Sequence, residues 1–525
     1  MRKFNVNAVC VPDKHYMVDI TNKLEQIKDL IDEGDYFTIN RGRQYGKTTT
    51  LLALEKFLAD EYIVISISFE GIGDAVFSSE KKFCNEFIKL IQEALELSGQ
   101  PVSEQEKWKA TSVDNFSDLG RHVRAVCRNS EHKYVLLIDE VDKTSNNIVF
   151  LNFLGKLRDK YISRNAGKDF TFHSVILAGV YDIKNIKLRL VQEGLHAPLQ
   201  SETVTNNSPW NIATDFEVDM SFSTPEIGTM LTQYENDHQM GMNITEIAAE
   251  IYNYTNGYPV LVSKICKHID EKLDKKWTLT GVRKAVKLIL REGSPLFDSL
   301  IKNLTSNEEL FILTKRLLME DFRWRFNLDD QIIALGVRYG YFDKERNRVK
   351  IANKIFEIRL TNYFISYDER QQAIEKPVIT ADEDGIITAN GFNMQTCLEK
   401  FAKYYHRYYN ENDTCFIERE ASKLFLMFLS SALNGEGFVY IETGLADGRS
   451  MDIIATYQGK QFIIETKIWY GEKRHDDAYD QLQGYMDKMS LTEGYLLTFD
   501  FRKTKKNHQK WVNSTANHKI FDIMV

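Results

Sequence analysis

Long apolar runs are missing from this chain. No stretch approaches the roughly 18–20 apolar residues that a helix needs to cross a bilayer. The N-terminal MRKFNVNAVCVPDKHYMVDI lacks the apolar core of a secretory signal. Export and membrane insertion are therefore not expected. Cysteine is sparse and scattered. The six, Cys10, Cys84, Cys127, Cys266, Cys397 and Cys415, form no C-x-x-C pair and have no histidine at metal-ligand spacing. Neither a zinc site nor a disulfide framework is indicated, and a reducing cytoplasm fits. Proline is scarce too, with eight in 525 residues, while 43% of the chain is hydrophobic and 27% charged, which excludes a largely disordered protein. An excess of positive charge is absent: the net charge is −8. That argues against a protein that coats nucleic acid non-specifically and leaves room only for a local basic groove.

What is present is an α/β multidomain pattern. The length exceeds what one hydrophobic core usually supports, so several domains are expected. From Asp35 to about Ser223, the β-rich runs DYFTIN, YIVISISF, YVLLID, HSVILAGV and FEVDMSF alternate with helical stretches. This is the signature of a mainly parallel sheet, and residues 1–224 form the first expected domain. Residues 225–277 lose their strands and read as a helical lid, with Gly257 and Pro259 opening an amphipathic run. Helices and two β-prone runs around the charged turn DKERNR make 278–365 winged-helix-like. Polar, weakly periodic residues 366–395 are expected to be a linker. Residues 396–525 show the order αβββαβ, a second α/β unit. Internal repeats and low-complexity tracts are absent.

The strand DYFTIN runs into RGRQYGKTTT and then a helix, the context of a Walker A phosphate loop. Gly46 lets the backbone approach phosphate, Lys47 would meet the β- and γ-phosphates, and Thr48 would offer its hydroxyl to magnesium, with Thr49 and Thr50 in the first helical turn. The first glycine of G-x-x-x-x-G-K-T would fall at Arg41, and the nearest, Gly42, stands one place late. The whole loop, Arg41, Gly42, Arg43, Gln44 and Tyr45 included, is expected to contact nucleotide. Further on, YVLLIDEVDK places four apolar residues ahead of Asp139 and Glu140. Asp139 would hold magnesium, and Glu140 would orient and deprotonate the attacking water. Asp182 after HSVILAGV reads either as a polar γ-phosphate sensor or as a turn residue. Arg189 reads either as a charge-stabilising arginine or as a solvated helix position.

Near the C-terminus, GRSMDIIATYQGKQFIIETKIW places Glu465 and Lys467 two apart on one strand, hence on one face, with Asp452 on a neighbouring strand. Two carboxylates can hold magnesium, or manganese, while the lysine activates water or steadies phosphate charge. An exposed strand edge with alternating charges would look similar, although the apolar FII before Glu465 favours a buried strand. The run FRKTKKNHQKW, Phe501 to Trp511, joins five Lys and Arg residues to an aromatic at each end. It suits phosphate contact with base stacking, or a solvated loop.

Taken together, Tyr16 through Thr50, YVLLIDEVDK, ILAGVYDIKN, SPWNIA and TNGYPVLVS resemble the bacterial AAA-like P-loop ATPases that are often fused to a PD-(D/E)XK nuclease-superfamily domain. Such proteins often carry an arginine-rich loop before GKT, which accommodates Arg41. The run from about Glu418 to Lys503, with GRSMD, IIETKIW, QLQGY and GYLLTFDFRK, resembles the PD-(D/E)XK superfamily. The resemblance implies that Asp452, Glu465 and Lys467 are metal and catalytic residues, Gln481 the accessory glutamine, and Glu420 or Glu418 the acid of the leading helix. It implies ATP and magnesium as cofactors and nucleic acid, DNA in the nearer reading, as partner. A homo-oligomer and a protein partner on the winged-helix-like region stay open. So does a nucleotide-operated switch that binds DNA or protein without cutting, and an ATPase fold that holds nucleotide only structurally.

Overall fold

Strands that are apolar at nearly every position need cover on both faces of their sheet, and the N-terminal half supplies it. The structure, a computed structural model, describes the chain apart from residues 1, 110–111, 142–146, 180–209, 211, 215, 320–322, 376–384, 389–390, 409–417, 434–436, 443–450, 470, 501, 503–507 and 514–517. It divides into two units: Met1–Tyr252 with Asn256–Lys272 and Val337–Gly340, and Asn253–Thr255 with Leu273–Gly336 and Tyr341–Val525.

In the first unit, β1 (Tyr36–Asn40), β2 (Tyr62–Ser68), β3 (Lys133–Asp139) and β4 (Ser174–Gly179) form a wholly parallel sheet in the order β1-β4-β3-β2. Alternate residues serve opposite cores. Leu136, Ile138, Val175 and Leu177 pack with the helices Glu80–Leu97, Phe116–Arg128 and Ile148–Asn165. Val135, Leu137, Ile176 and Ala178 pack with Thr21–Asp32 and Lys47–Leu58. In this α/β fold, β4 lies between the strand that leads into the Gly42–Gly46 loop and the strand that ends in Asp139. FEVDMSF, expected as a strand, is not one. An isolated bridge at Thr214 lies just before it, and the Val218 carbonyl accepts from the Arg41 guanidinium at 3.1 Å instead.

Three helices follow: Thr224–His238, opened by a Ser223/Glu226 capping box with Pro225 in its first turn, then Ile244–Thr255 and Pro259–Lys272. Between the last two, Gly257 sits at φ +71°, and a Cβ there would lie 2.0 Å from the Phe222 carbonyl oxygen. Only glycine fits. No helix of the described residues is long and apolar enough to cross a membrane.

In the second unit, helices Leu279–Arg291, Pro295–Thr305, Glu308–Met319 and Gln331–Arg338 precede the hairpin β5 (Phe342–Glu345) and β6 (Arg348–Ile351). Arg346 and Asn347 turn it with φ of 45° and 66°, the sense of twist that two-residue hairpins favour. The helix Lys354–Glu375 then runs ten residues into the expected linker. Its apolar first half, with Ile355, Phe356, Ile358 and Leu360 buried, carries the polar second half along as continuous helix. A short pairing of β7 (Ile387–Thr388) with β8 (Gly391–Phe392) leads to helices Met394–Tyr408 and Glu418–Ala432.

The C-terminal sheet contains β9 (Gly437–Glu442), β10 (Met451–Tyr457), β11 (Lys460–Ile468), β12 (Glu493–Phe499), β13 (His508–Asn513) and β14 (Lys519–Met524), in the order β13-β14-β12-β11-β10-β9. The helix Glu472–Met489 crosses between β11 and β12, which pair in parallel. The order αβββαβ is thus followed by two further strands that the sequence pattern does not announce. Asp522 interrupts the apolar run of β14, and β13 is polar at most positions.

Candidate functional sites

The loop after β1 turns on two residues in left-handed backbone, Gln44 at φ 58° and Gly46 at φ 79°. Gly46 directly precedes the helix Lys47–Leu58. The first helical amides, those of Lys47, Thr48 and Thr49, come before the Thr50 amide, which reaches back to the Gly46 carbonyl at 2.9 Å. A helix start of this kind carries unsatisfied donors and partial positive charge. Lys47 is buried, with Nζ 3.0 Å from the Arg41 carbonyl and 3.1 Å from the Gly42 carbonyl. Its charge therefore stays inside the loop rather than in solvent.

Thr48 donates its hydroxyl to Asp139 Oδ2 at 2.6 Å. Asp139, at the end of β3, is buried, and its Oδ1 accepts the Glu140 amide at 2.9 Å. Glu140 itself stands at φ 55°, a strained position for a residue with a side chain. The structure therefore brings Gly46, Lys47, Thr48, Asp139 and Glu140 together.

Other loop residues have protein partners. Arg41 spans the Asn40 and Val218 carbonyls and lies 5.8 Å over the Phe216 ring. Thr49 accepts the Cys10 amide at 3.2 Å. The Tyr45 hydroxyl is 2.6 Å from Ser221 Oγ, and its ring meets Tyr258 edge-on at 4.6 Å. Tyr258 in turn donates to the Arg43 carbonyl at 2.7 Å. Gly42 is buried, while the Arg43 and Gln44 side chains are exposed. Arg41, Tyr45 and Thr49 thus brace the loop, together with Cys10, Ser221 and Tyr258, which sequence reasoning did not single out. Only TNGYPVLVS signalled the last of these. Asp182 and Arg189 lie outside the described residues.

In the C-terminal sheet, Asp452 of β10 stands opposite Glu465 of β11; the Asp452 side chain lies outside the described ones. Glu465 is fully buried, 2.7 Å from Lys467 Nζ through Oε1, and its Oε2 has no hydrogen-bond partner. Lys467 donates to Gln481 Oε1 at 3.0 Å from the helix Glu472–Met489. Glu465, Lys467 and Gln481 are therefore together on one face. Glu418 and Glu420 occupy the first turn of Glu418–Ala432, with side chains outside the described ones. That helix meets the sheet through Ser422, 3.0 Å from Thr466 Oγ1, and Thr466 points away from its neighbours Glu465 and Lys467.

The basic run ends differently from a loop. Arg502 pairs with buried Asp500 at 2.7 Å and lies 4.9 Å over the Trp469 ring. His508–Trp511 belong to edge strand β13. Trp511, 40% exposed, donates to Gln395 at 3.0 Å. Phe501 and Lys503–Asn507 lie outside the described residues.

Residues 11–357 match the AAA-like domain family. No curated protein matches the chain. Among solved structures it is similar to a Walker-type ATPase of Pyrococcus abyssi, at 12% identity and a TM-score of 0.45 over 68% of this chain and 99% of that one. It is also similar to the Aeropyrum pernix ORC2 protein in ADPNP–ADP complexes, at 13% and 0.35 over 67% and 93%. A third is the Aeropyrum pernix ORC1 protein in complex with DNA, at 11% and 0.27 over 67% and 94%.

Proposed function

The chain belongs to the AAA-like domain family, and on that premise we propose that it hydrolyses ATP and that its C-terminal domain cleaves nucleic acid by a magnesium-dependent phosphodiesterase mechanism. The observation that carries the ATPase half is the Thr48–Asp139 hydrogen bond, which closes the glycine loop onto the acid-bearing strand with Lys47 and Glu140 alongside. A hydroxyl and a carboxylate are the hard oxygen donors that magnesium prefers. Thr48 and Asp139 would hold magnesium, which would supply charge neutralisation on the phosphates. Lys47 and the helix-start amides bind the β- and γ-phosphates, and Glu140 orients the attacking water and accepts its proton. Steady-state ATP hydrolysis tests this. Glu140→Gln should retain nucleotide binding while turnover falls by about 10²–10⁴-fold, and Lys47→Ala should lose both; unchanged turnover in either contradicts the assignment.

Glu465 supports the nuclease half. A buried carboxylate with one oxygen lacking a hydrogen bond is costly unless a cation or donor meets it, and the PD-(D/E)XK superfamily places a metal ion at such an acid. Asp452 and Glu465 are the residues proposed to hold magnesium or manganese, which would supply Lewis acidity and a more acidic water; Glu418 and Glu420 start a helix that meets the other face of the sheet through Ser422 and Thr466. Lys467 steadies phosphate charge, and Gln481 holds Lys467 in place. Incubated with DNA, the wild type should cut with magnesium and stop on chelation, and Glu465→Ala should not cut at all. Nucleotide-dependent DNA or protein association that tolerates chelator, without cleavage, would instead make the chain a nucleotide-operated switch.

A further inference from the structure

One group of ligand-type side chains in the C-terminal sheet belongs to neither site. His475 comes from the start of the helix Glu472–Met489, His508 from β13 and Asp522 from the middle of β14. Their ligand atoms all lie within 4.8 Å of one another. His475 Nε2 stands 3.1 Å and His508 Nε2 2.6 Å from Asp522 Oδ2. The Tyr479 hydroxyl donates to that same oxygen at 2.6 Å. Asp522 is wholly buried, and its second oxygen, Oδ1, is buried without a hydrogen-bond partner. Three groups converge on one carboxylate oxygen, then, while the other has none.

We propose that His475, His508 and Asp522 bind one divalent first-row transition ion, zinc by preference, which clamps the β13–β14 hairpin to the helix Glu472–Met489. Two imidazoles and a carboxylate are a donor set typical of zinc and its neighbours, not of magnesium. Bonds of about 2.0–2.2 Å in tetrahedral array put ligand atoms roughly 3.3 Å apart. The distances to Asp522, 3.1 and 2.6 Å, both fall short of that figure, so the side chains need only rotate slightly apart to admit the ion. A hydrogen-bond network alone accounts for Oδ2 and leaves Oδ1 bare; an ion uses the charge of the whole carboxylate. The outer partners are those a metal centre needs. Tyr479 steadies the carboxylate, and the Thr498 hydroxyl lies 3.5 Å from His475 Nδ1, the ring nitrogen that would not ligate. With three protein ligands, a fourth position is left for water.

This ion is distinct from the one proposed at Asp452 and Glu465. Glu465 pairs with Leu496 of β12, and Leu496 with Asp522 of β14, so the two acids are two strand spacings apart, roughly 9–10 Å. The inference does not rest on nuclease activity. The spacing of the ligands along the chain hides the site from a sequence search, because three separate elements supply it.

Metal content of the purified, untagged full-length chain after dialysis against metal-free buffer is the test, by inductively coupled plasma mass spectrometry, followed by titration with Zn2+ and Co2+. One transition ion per chain is expected in the wild type and in Glu465→Gln, with visible Co2+ absorption and a melting temperature raised by Zn2+. His508→Ala and His475→Ala should fold, by circular dichroism, yet bind at least tenfold more weakly and lose both the cobalt band and the zinc-induced melting shift. His508 is the safer variant, its side chain being 29% exposed on an edge strand. Absence of stoichiometric binding in the wild type, or equal binding in both histidine variants, overturns the proposal. Loss of cleavage in Glu465→Gln with zinc binding intact would separate the two sites.

Discussion

Gly257 is the residue at which backbone geometry leaves least freedom. Its φ of +71° and the 2.0 Å approach of a Cβ to the Phe222 carbonyl both act against any side chain, and the neighbouring Tyr258 reaches the loop before Gly46 at the Arg43 carbonyl. Gly257→Ala should therefore lower stability by more than the roughly 1 kcal/mol that left-handed backbone alone costs, and should weaken nucleotide binding as Tyr258 is displaced. Urea denaturation and ATP titration of the same preparation measure both; a variant as stable as wild type contradicts this reading. At this scale the sequence showed which side chains would come together around Gly46 and Asp139. Lys47 and Thr48 follow Gly46 directly, and Asp139 and Glu140 end an apolar strand, so both groups are visible as short local patterns. The bracing of the loop by Cys10, Ser221 and Tyr258 was not legible, since such contacts join residues far apart in the chain and tolerate several residue types.

Among the elements, the entry into β4 carries a titratable group that works against folding in acid. His173 stacks on Tyr62 with ring centroids 5.6 Å apart, and burial, then the nearby Lys133 and Arg164 charges, lower its pKa from 6.5 to about 4. The folded chain consequently binds fewer protons here than the unfolded chain between about pH 6.5 and 4. Its contribution is complete above 6.5, declines as the pH falls through that window, and is exhausted near 4. Urea unfolding of wild type and His173→Gln at several pH values should show a shallower loss of stability in the variant across this window; parallel curves would contradict the assignment. Element type followed periodicity well where apolar runs were long, as in YVLLID and HSVILAGV. It failed where tertiary partners decide. FEVDMSF gives its Val218 carbonyl to Arg41 rather than to a ladder, and β14 tolerates Asp522 because histidines and Tyr479 surround it.

The whole molecule carries Gly46, Lys47, Thr48, Asp139 and Glu140 on the sheet of one unit and buried Glu465 with Lys467 and Gln481 on the sheet of the other. The AAA-like family match, residues 11–357, takes in most of the first unit and the beginning of the second, while the nuclease reading rests on how Glu465, Lys467 and Gln481 meet. The continuous helix Lys354–Glu375 was not legible in the sequence, because its polar second half resembles a linker until its apolar first half anchors it. The most direct test is cleavage of linear and supercoiled DNA and of RNA, with magnesium or manganese and with or without ATP, by wild type and Asp452→Ala. The account predicts metal-dependent cutting by the wild type that ATP modulates and that Asp452→Ala abolishes. No cutting under any condition by a preparation that still hydrolyses ATP would contradict it.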